Sequence, residues 1–497
     1  MTETVKSLTS GRLLARSALW NLVGLAVPML VALIAIPLLI DGMGKERFGL
    51  LAIIWMGVGY FSLFDLGLGR ALTKLVAERL GNGQLSDLGP LIWTALALLG
   101  AFGVFGAIVI LLAAGPLVQH LLNVGPQYQN EAVAAFRILA LGLPIVVATA
   151  ALVGLLEAHQ HFATITAIRI PLGVLTFAGP LATLQFTPSL AWATTALLFS
   201  RMVALFAYFV AVSSVRPELR APTLPRRNQA RPLFLFGGWL TVTNIVGPLM
   251  TYLDRFFLGA VLNMTAVTYY VTPYEVLSRL QMLPQSIMGV IFPAMSTAFG
   301  GDRVRLAKIY SQSARLLLLL MLPITSGFFL FAPEALELWL GNDFRLAATP
   351  VVHWLAVGSM LNVLAQPAFT VLQSTGRPDI VAKVHLAEFV PYLFMLWFFT
   401  HTFGIAGTAA AWTLRVLADT VVLNEFARRK VADLGRAVVQ THIALVAILV
   451  GFLCAWLLDS LLARALLLSA LMVGAGILLW PLTKHLRQRI QPTAPQI

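Results

Sequence analysis

Charge is scarce in this chain. Asp, Glu, Lys and Arg make up 11% of its 497 residues, and apolar residues make up 59%. A soluble chain needs roughly 25% charge to cover its surface, so composition excludes an ordinary soluble fold. Cysteine is nearly absent. Cys454 stands alone inside an apolar run, which excludes disulfides and thiolate metal sites and leaves a buried structural cysteine as the expectation. The histidines form no HxxxH or HExxH pattern, and His159 with His161 in a short loop is a slender basis for a metal. There is no GxxxxGK[ST] phosphate loop. Any energy source is therefore an ion gradient, the membrane potential, product consumption or a separate ATPase. No cofactor is implied beyond coupling to a proton or sodium gradient. No segment outside the apolar runs is long enough to form a catalytic domain.

What is present is apolar sequence of bilayer-spanning length, repeated from end to end. The expected fold is an all-α polytopic membrane protein with about fourteen transmembrane helices. The first six fall at 18–40, 48–80, 88–114, 131–156, 162–184 and 190–215. The next six fall at 233–262, 266–299, 308–331, 347–372, 380–400 and 403–426. Two more, at 437–458 and 462–482, complete the set. The polar start and the lack of a small-residue cleavage site after Leu19–Ile40 mark a retained first helix, not a signal peptide. Interior prolines such as Pro28, Pro144, Pro171 and Pro391 kink spans that neighbouring helices then support.

The net charge of +13 reads first as topology, not as a nucleic-acid surface. Arg70, Lys74 and Arg79, the linker arginines 216, 220, 226, 227 and 231, and Arg428, Arg429 and Lys430 all flank even-numbered span ends. The opposite loops hold little beyond Lys45, Arg47, Arg345 and Arg464. The positive-inside rule then places both termini and the linker of this multi-pass protein in the cytoplasm.

The chain also repeats itself. Leu139-Ala140-Leu141-Gly142 matches Leu355-Ala356-Val357-Gly358, and the same offset carries Arg169 onto His385. Trp20, Asn21 and Pro28 in the first span are echoed by Trp239, Asn244 and Pro248 in the seventh. An offset of an even number of spans preserves orientation, so the repeat is parallel, about an axis along the membrane normal. The expected organisation is a six-helix lobe over 1–215, a basic cytoplasmic linker over 216–232 and a second six-helix lobe over 233–427. Two additional helices over 437–484 and a cytoplasmic tail over 485–497 follow.

Charge near the bilayer centre costs several kcal/mol unless it meets a wet cavity or a partner. Arg201 lies mid-way along the sixth span and Arg415 mid-way along the twelfth, in near-equivalent places of the repeat. They are candidates for a shared cationic site; the alternative is a private pair inside each lobe, with Asp419 one turn from Arg415. Arg279 follows Glu275 by one turn, a spacing that favours an intrahelical pair. Asp254 and Arg255 are neighbours that point roughly 100° apart, so at least one needs another partner. Arg70 and Lys74 share a face near the cytoplasmic side, where they either snorkel or catch an anionic head group. Lys383, His385 and Glu388 lie closer to the surface. Asp65, Glu275 and Asp419 are the candidates for ion coupling. Guanidinium groups suit phosphate through paired hydrogen bonds, so an arginine-lined cavity implies an anionic or pyrophosphate-bearing substrate.

The stretch from Trp20-Asn21 and Pro28 through Gly44, Phe48-Gly49 and Asp65-Leu66-Gly67-Leu68-Gly69 resembles the polysaccharide-biosynthesis flippases of O-antigen type. Asp254-Arg255-Phe256-Phe257-Leu258-Gly259 with Tyr269-Tyr270 resembles the second-half signature of that family. Its superfamily also holds the multidrug and toxin extruders and the lipid II flippases. The resemblance spans nearly the whole chain through diffuse motifs. It implies two lobes that alternate access around a central cavity and an undecaprenyl-pyrophosphate-linked oligosaccharide as substrate. It also implies cavity arginines that hold the pyrophosphate, and extra C-terminal helices that in some relatives form a groove for lipid. Polymerase and chain-length proteins of the assembly pathway are the implied protein partners. A multidrug exporter of the same fold is the competing reading and predicts a carboxylate-rich cavity. A membrane polymerase or ligase needs a sizeable outer loop, which the chain lacks.

Overall fold

The computed structural model describes residues 11–61, 68–81, 88–216, 223–224, 226, 228–231, 233, 250 and 252–490. Those residues are helical almost throughout, and ten of their helices are long and apolar enough to cross a membrane. This is a multi-pass membrane protein. Most of the seventh expected span, with Trp239, Asn244 and Pro248, lies outside the described residues, as does Asp65. The chain divides into two compact units, Met1–Thr268 and Tyr269–Ile497.

In the first unit the helices are α1 (Gly11–Met43), α2 (Lys45–Tyr60), α3 (Leu68–Gly81), α4 (Leu88–Pro116), α5 (Pro126–Ala158), α6 (Phe162–Thr183) and α7 (Leu190–Val215). α5 is the hub and packs on α3, α4 and α7. Its start is tied to other elements by acids. Glu46 accepts from the Gly125 backbone N–H at 2.6 Å, and Glu131 accepts from Arg47 Nε at 2.9 Å and from the Leu190 N–H. The linker is fastened to the same unit: Arg79 donates to Gln229 at 2.5 Å, and the Arg226 N–H donates to Thr94 at 2.9 Å.

The second unit takes in most of α8 (Met264–Leu280), then α9 (Met282–Gly301), α10 (Arg303–Leu330), α11 (Ala332–Leu340) and α12 (Asn342–Ser374). α13 (Pro378–Lys430), α14 (Gly435–Trp456) and α15 (Leu461–Ile490) complete it. α12 is its hub, apolar around its circumference and buried over 83% of its spanning window. α13 is two helices joined at Gly404, whose φ of 61° only glycine adopts readily. Thr400 meets Thr408 at 2.9 Å, Arg415 lies over the Tyr392 ring and His385 faces Asp419. These pairs nest about one centre, so α13 is an antiparallel hairpin with arms 378–403 and 405–430, corresponding to the eleventh and twelfth expected spans. Its second arm is fastened to α12 by side chains that reach backbone carbonyls: Thr413 to Trp354 at 2.7 Å, Thr420 to Leu361 at 3.1 Å and Asn424 to Leu364 at 3.3 Å. Such bonds replace the missing hydrophobic drive between helices in lipid.

Cys454 departs from expectation. It is exposed, among the exposed apolar side chains Val446, Val450 and Leu453 on α14. In a bilayer an apolar run does not imply burial, because lipid tails solvate it as well as a protein core does.

Gly142 and Gly358, which the sequence offset aligns, differ in how tightly they are packed. A Cβ on Gly142 would touch Leu198 on α7 at 3.4 Å, and one on Gly358 would meet the Trp412 ring at 2.3 Å. Gly358→Ala is therefore expected to overpack the α12–α13 contact by about 1–3 kcal/mol. A thermal scan of the purified protein should show a lowered midpoint for Gly358→Ala and little change for Gly142→Ala. Equal midpoints for the two variants would contradict the close α12–α13 approach.

Candidate charged cluster in the second hairpin

The hairpin of α13 brings four ionisable groups together. Arg415 Nη1 lies 3.9 Å from Glu388 Oε2, and its guanidinium sits 5.5 Å from the centre of the Tyr392 ring. His385 Nε2 lies 3.4 Å from Asp419 Oδ1. Arg415 is about 16 Å from the elbow at Gly404, at a rise of 1.5 Å per residue, so the cluster sits well inside the helical arms. Both Glu388 carboxylate oxygens, Asp419 Oδ1 and Arg415 Nε are buried without a hydrogen-bond partner. A long contact outside hydrogen-bond geometry leaves most of the desolvation cost of each charge uncompensated. The groups are not sealed in: Arg415, Glu388 and Asp419 keep 12–14% of their side chains exposed and His385 keeps 28%.

Sequence spacing pointed to Asp419 as the partner of Arg415. The structure pairs Arg415 with Glu388 on the other arm and gives Asp419 to His385. Glu388 reads as near-surface when the eleventh span is considered alone. Folding the two spans about Gly404 brings it opposite Arg415. The offset that carries Leu139 onto Leu355 sets Glu388 against Leu172 and Asp419 against Val203, so the matched arms of the first unit, α6 and α7, lack both acids.

Arg201 on α7 has its Nε buried without a hydrogen-bond partner, and among the described residues no acid pairs with it. Arg279 lies 3.5 Å from Glu275, the pair that their spacing predicts. Asp254 and Arg255 are both buried. Asp254 accepts from the Arg255 backbone N–H at 2.8 Å, and the Arg255 guanidinium lies 5.1 Å from the Tyr252 ring centre. Lys74 lies 3.4 Å from Glu78 and Arg70 is exposed, both on α3. Among the candidates, Glu275 and Arg279 pair on α8, Arg70 and Lys74 share α3, and Arg415 and Asp419 are the two that join the charged cluster of α13. No group of three or more His, Cys, Asp or Glu among the described residues is arranged to hold a metal.

His159, just past the end of α5, has a structural part. Its Nδ1 lies 2.8 Å from the Leu155 carbonyl, and its Nε2 lies 2.9 Å from Arg216 Nε, which can only donate. The imidazole is therefore the neutral Nδ1–H tautomer, and burial pushes its pKa below the ordinary value. A lowered folded pKa means the unfolded chain binds the proton more readily. Stability from this contact is present above about pH 6.5 and falls as pH drops below it. The thermal midpoint is expected to decline less between pH 7 and pH 5 in His159→Gln than in the wild type.

The sequence profile of the family described as "Polysaccharide biosynthesis protein" matches residues 43–349. The chain belongs to that family. It is 29% identical over 411 residues to a putative O-antigen transporter of Shigella flexneri, covering 82% of this chain and 96% of that protein. Among solved structures it shares the fold of an inward-facing multidrug resistance MATE family transporter of the MOP superfamily. That match has a TM-score of 0.69 and 17% identity, over 84% of this chain and 99% of that one. The lipid II flippase MurJ in an inward closed conformation matches with a TM-score of 0.68 and 12% identity, over 94% and 100% of the two chains.

Proposed function

We propose that this family member is a flippase that moves an undecaprenyl-pyrophosphate-linked oligosaccharide from the cytoplasmic to the periplasmic leaflet of a bacterial inner membrane. The observation that carries the reading is Arg201, a cation inside a spanning helix with no acid beside it among the described residues. Arg415 adds to it, held by Glu388 only at 3.9 Å. Cations kept within a membrane without a close counter-ion are suited to an anion that arrives and leaves. The two arginines receive the pyrophosphate during alternating access, with Arg279 and Arg255 as further contacts and Arg70 and Lys74 at cytoplasmic entry. Relatives named as an O-antigen transporter and a lipid II flippase support this substrate class. A groove of about 750 Å³ lined by Trp354, Leu449, Phe452 and Trp456 offers apolar surface to a lipid chain in the second unit. Polymerase and chain-length proteins are the expected downstream partners.

The test is transfer of an undecaprenyl-pyrophosphate sugar across liposomes that contain the purified protein, with a cationic drug as control substrate. Saturable movement of the lipid-linked sugar supports the reading. Drug efflux without lipid movement replaces it with the multidrug-exporter alternative.

A further inference from the structure

The charged cluster of α13 is unbalanced. It holds two carboxylates, one permanent cation in Arg415 and one histidine. With both acids ionised and His385 neutral, a partly buried site carries a net negative charge, which one added proton cancels. The groups acting on Glu388 are Arg415 and Asp419 from the facing arm, with His385 one turn away on its own arm. α12 carries no charged side chain between Trp354 and Ser374, and α14 carries only Arg436 and His442. α8, which touches the second arm through Tyr274 and Trp412, holds Glu275 and Arg279 paired with each other. The turn before α14 adds Asp433. The balance at Arg415 therefore rests on Glu388 and Asp419.

Building on the flippase reading, we propose that Glu388 and the substrate phosphate compete for Arg415, and that a proton on Glu388 releases the guanidinium to the phosphate. Three features support this. Glu388 Oε2 stands where a phosphate oxygen would approach Arg415, at 3.9 Å and out of hydrogen-bond geometry, so little has to be broken to displace it. Neither Glu388 oxygen has another partner, so a proton on either disrupts no hydrogen bond. The side chains of the cluster are not fully enclosed, each keeping 12–28% of its surface exposed. One proton adds to the Glu388 carboxylate, no covalent bond to substrate changes, and the negative charge leaving Arg415 is replaced by that of the phosphate. Substrate binding is thereby linked to proton uptake at a named residue. The matched arms of the first unit lack this device, because the positions of both acids are held there by Leu172 and Val203.

The experiment measures binding of undecaprenyl pyrophosphate to the full-length protein in nanodiscs at pH 6 and pH 8, at constant sodium. The wild type is expected to bind about tenfold or more tightly at pH 6, since one fully linked proton shifts affinity up to tenfold per pH unit. The ligand's own phosphate ionises further at pH 8 and works in the opposite direction, so it cannot imitate the effect. Glu388→Gln, which mimics the protonated acid in shape, should bind no more tightly at pH 6 than at pH 8. Glu388→Asp should keep the preference. Calorimetry of the wild type in two buffers of different ionisation enthalpy counts the protons taken up per ligand, and serves if Glu388→Gln does not fold. Wild-type binding without pH preference overturns the inference and leaves the flippase reading standing. A tenfold preference that persists in Glu388→Gln overturns it too, as does an affinity that follows sodium at fixed pH instead of protons. Absence of wild-type binding at both pH values overturns this inference and the substrate assignment together.

Discussion

Replacing Arg201 and Arg415 together by alanine is expected to abolish transfer of the lipid-linked sugar while leaving the protein inserted and folded. A charge-assisted hydrogen bond contributes about 1.5–3 kcal/mol, so each arginine lost from a pyrophosphate costs roughly 10- to 100-fold in affinity. Losing both takes binding below a working range. The folding cost is expected to be smaller, for different reasons at the two positions. Arg201 has no acid partner among the described residues, so its removal strands no carboxylate. Removing Arg415 does strand Glu388, which already lacks hydrogen bonds and can take a proton instead of holding an unpaired charge. Arg201→Lys separates charge from geometry: it keeps the cation and loses the planar fork, so an intermediate rate identifies paired hydrogen bonding as the need. A double alanine variant that transports at the wild-type rate removes the central-site idea and returns both arginines to structural roles.

The fold class was legible because apolar runs of spanning length and basic loops are imposed by the bilayer itself, whatever the protein does. The Glu275–Arg279 contact was legible because helical spacing alone brings the two side chains together. Two kinds of feature were hidden. Contacts across a hairpin depend on where the elbow falls, and Gly404 and Gly407 stand three residues apart as rival places for it. With the elbow located, Glu388 and Arg415 become neighbours, and so do His385 and Asp419. Burial was hidden as well, because hydropathy gives lipid-facing and core-facing residues the same sign. Cys454 and α12 are the two extremes of that ambiguity, one exposed and the other enclosed.

The elbow also sets the second large expectation. A Cβ on Gly407 would lie 1.9 Å from the Phe399 carbonyl oxygen and 2.6 Å from its carbon, both backbone atoms that no rotamer change can move aside. Gly407→Ala must therefore spread the two arms or shift their register. Adjacent to that point Thr400 and Thr408 share a hydrogen bond, buried at 0% exposure each, which spreading would leave unmade at a cost of about 1–3 kcal/mol. Overpacking adds a similar amount, so a loss of about 3 kcal/mol or more is expected, against no loss for Gly451→Ala, where a Cβ meets open space and alanine favours the helix. The consequence reaches the charged cluster, because Glu388 and Arg415 belong to different arms and their contact is already long at 3.9 Å. Any fraction of Gly407→Ala that remains folded should carry Arg415 and Glu388 further apart. Its phosphate binding should then lose the pH preference expected of the wild type, even though no charged group has been altered. A Gly407→Ala protein with wild-type melting and wild-type pH preference would show that the arms do not meet at this glycine.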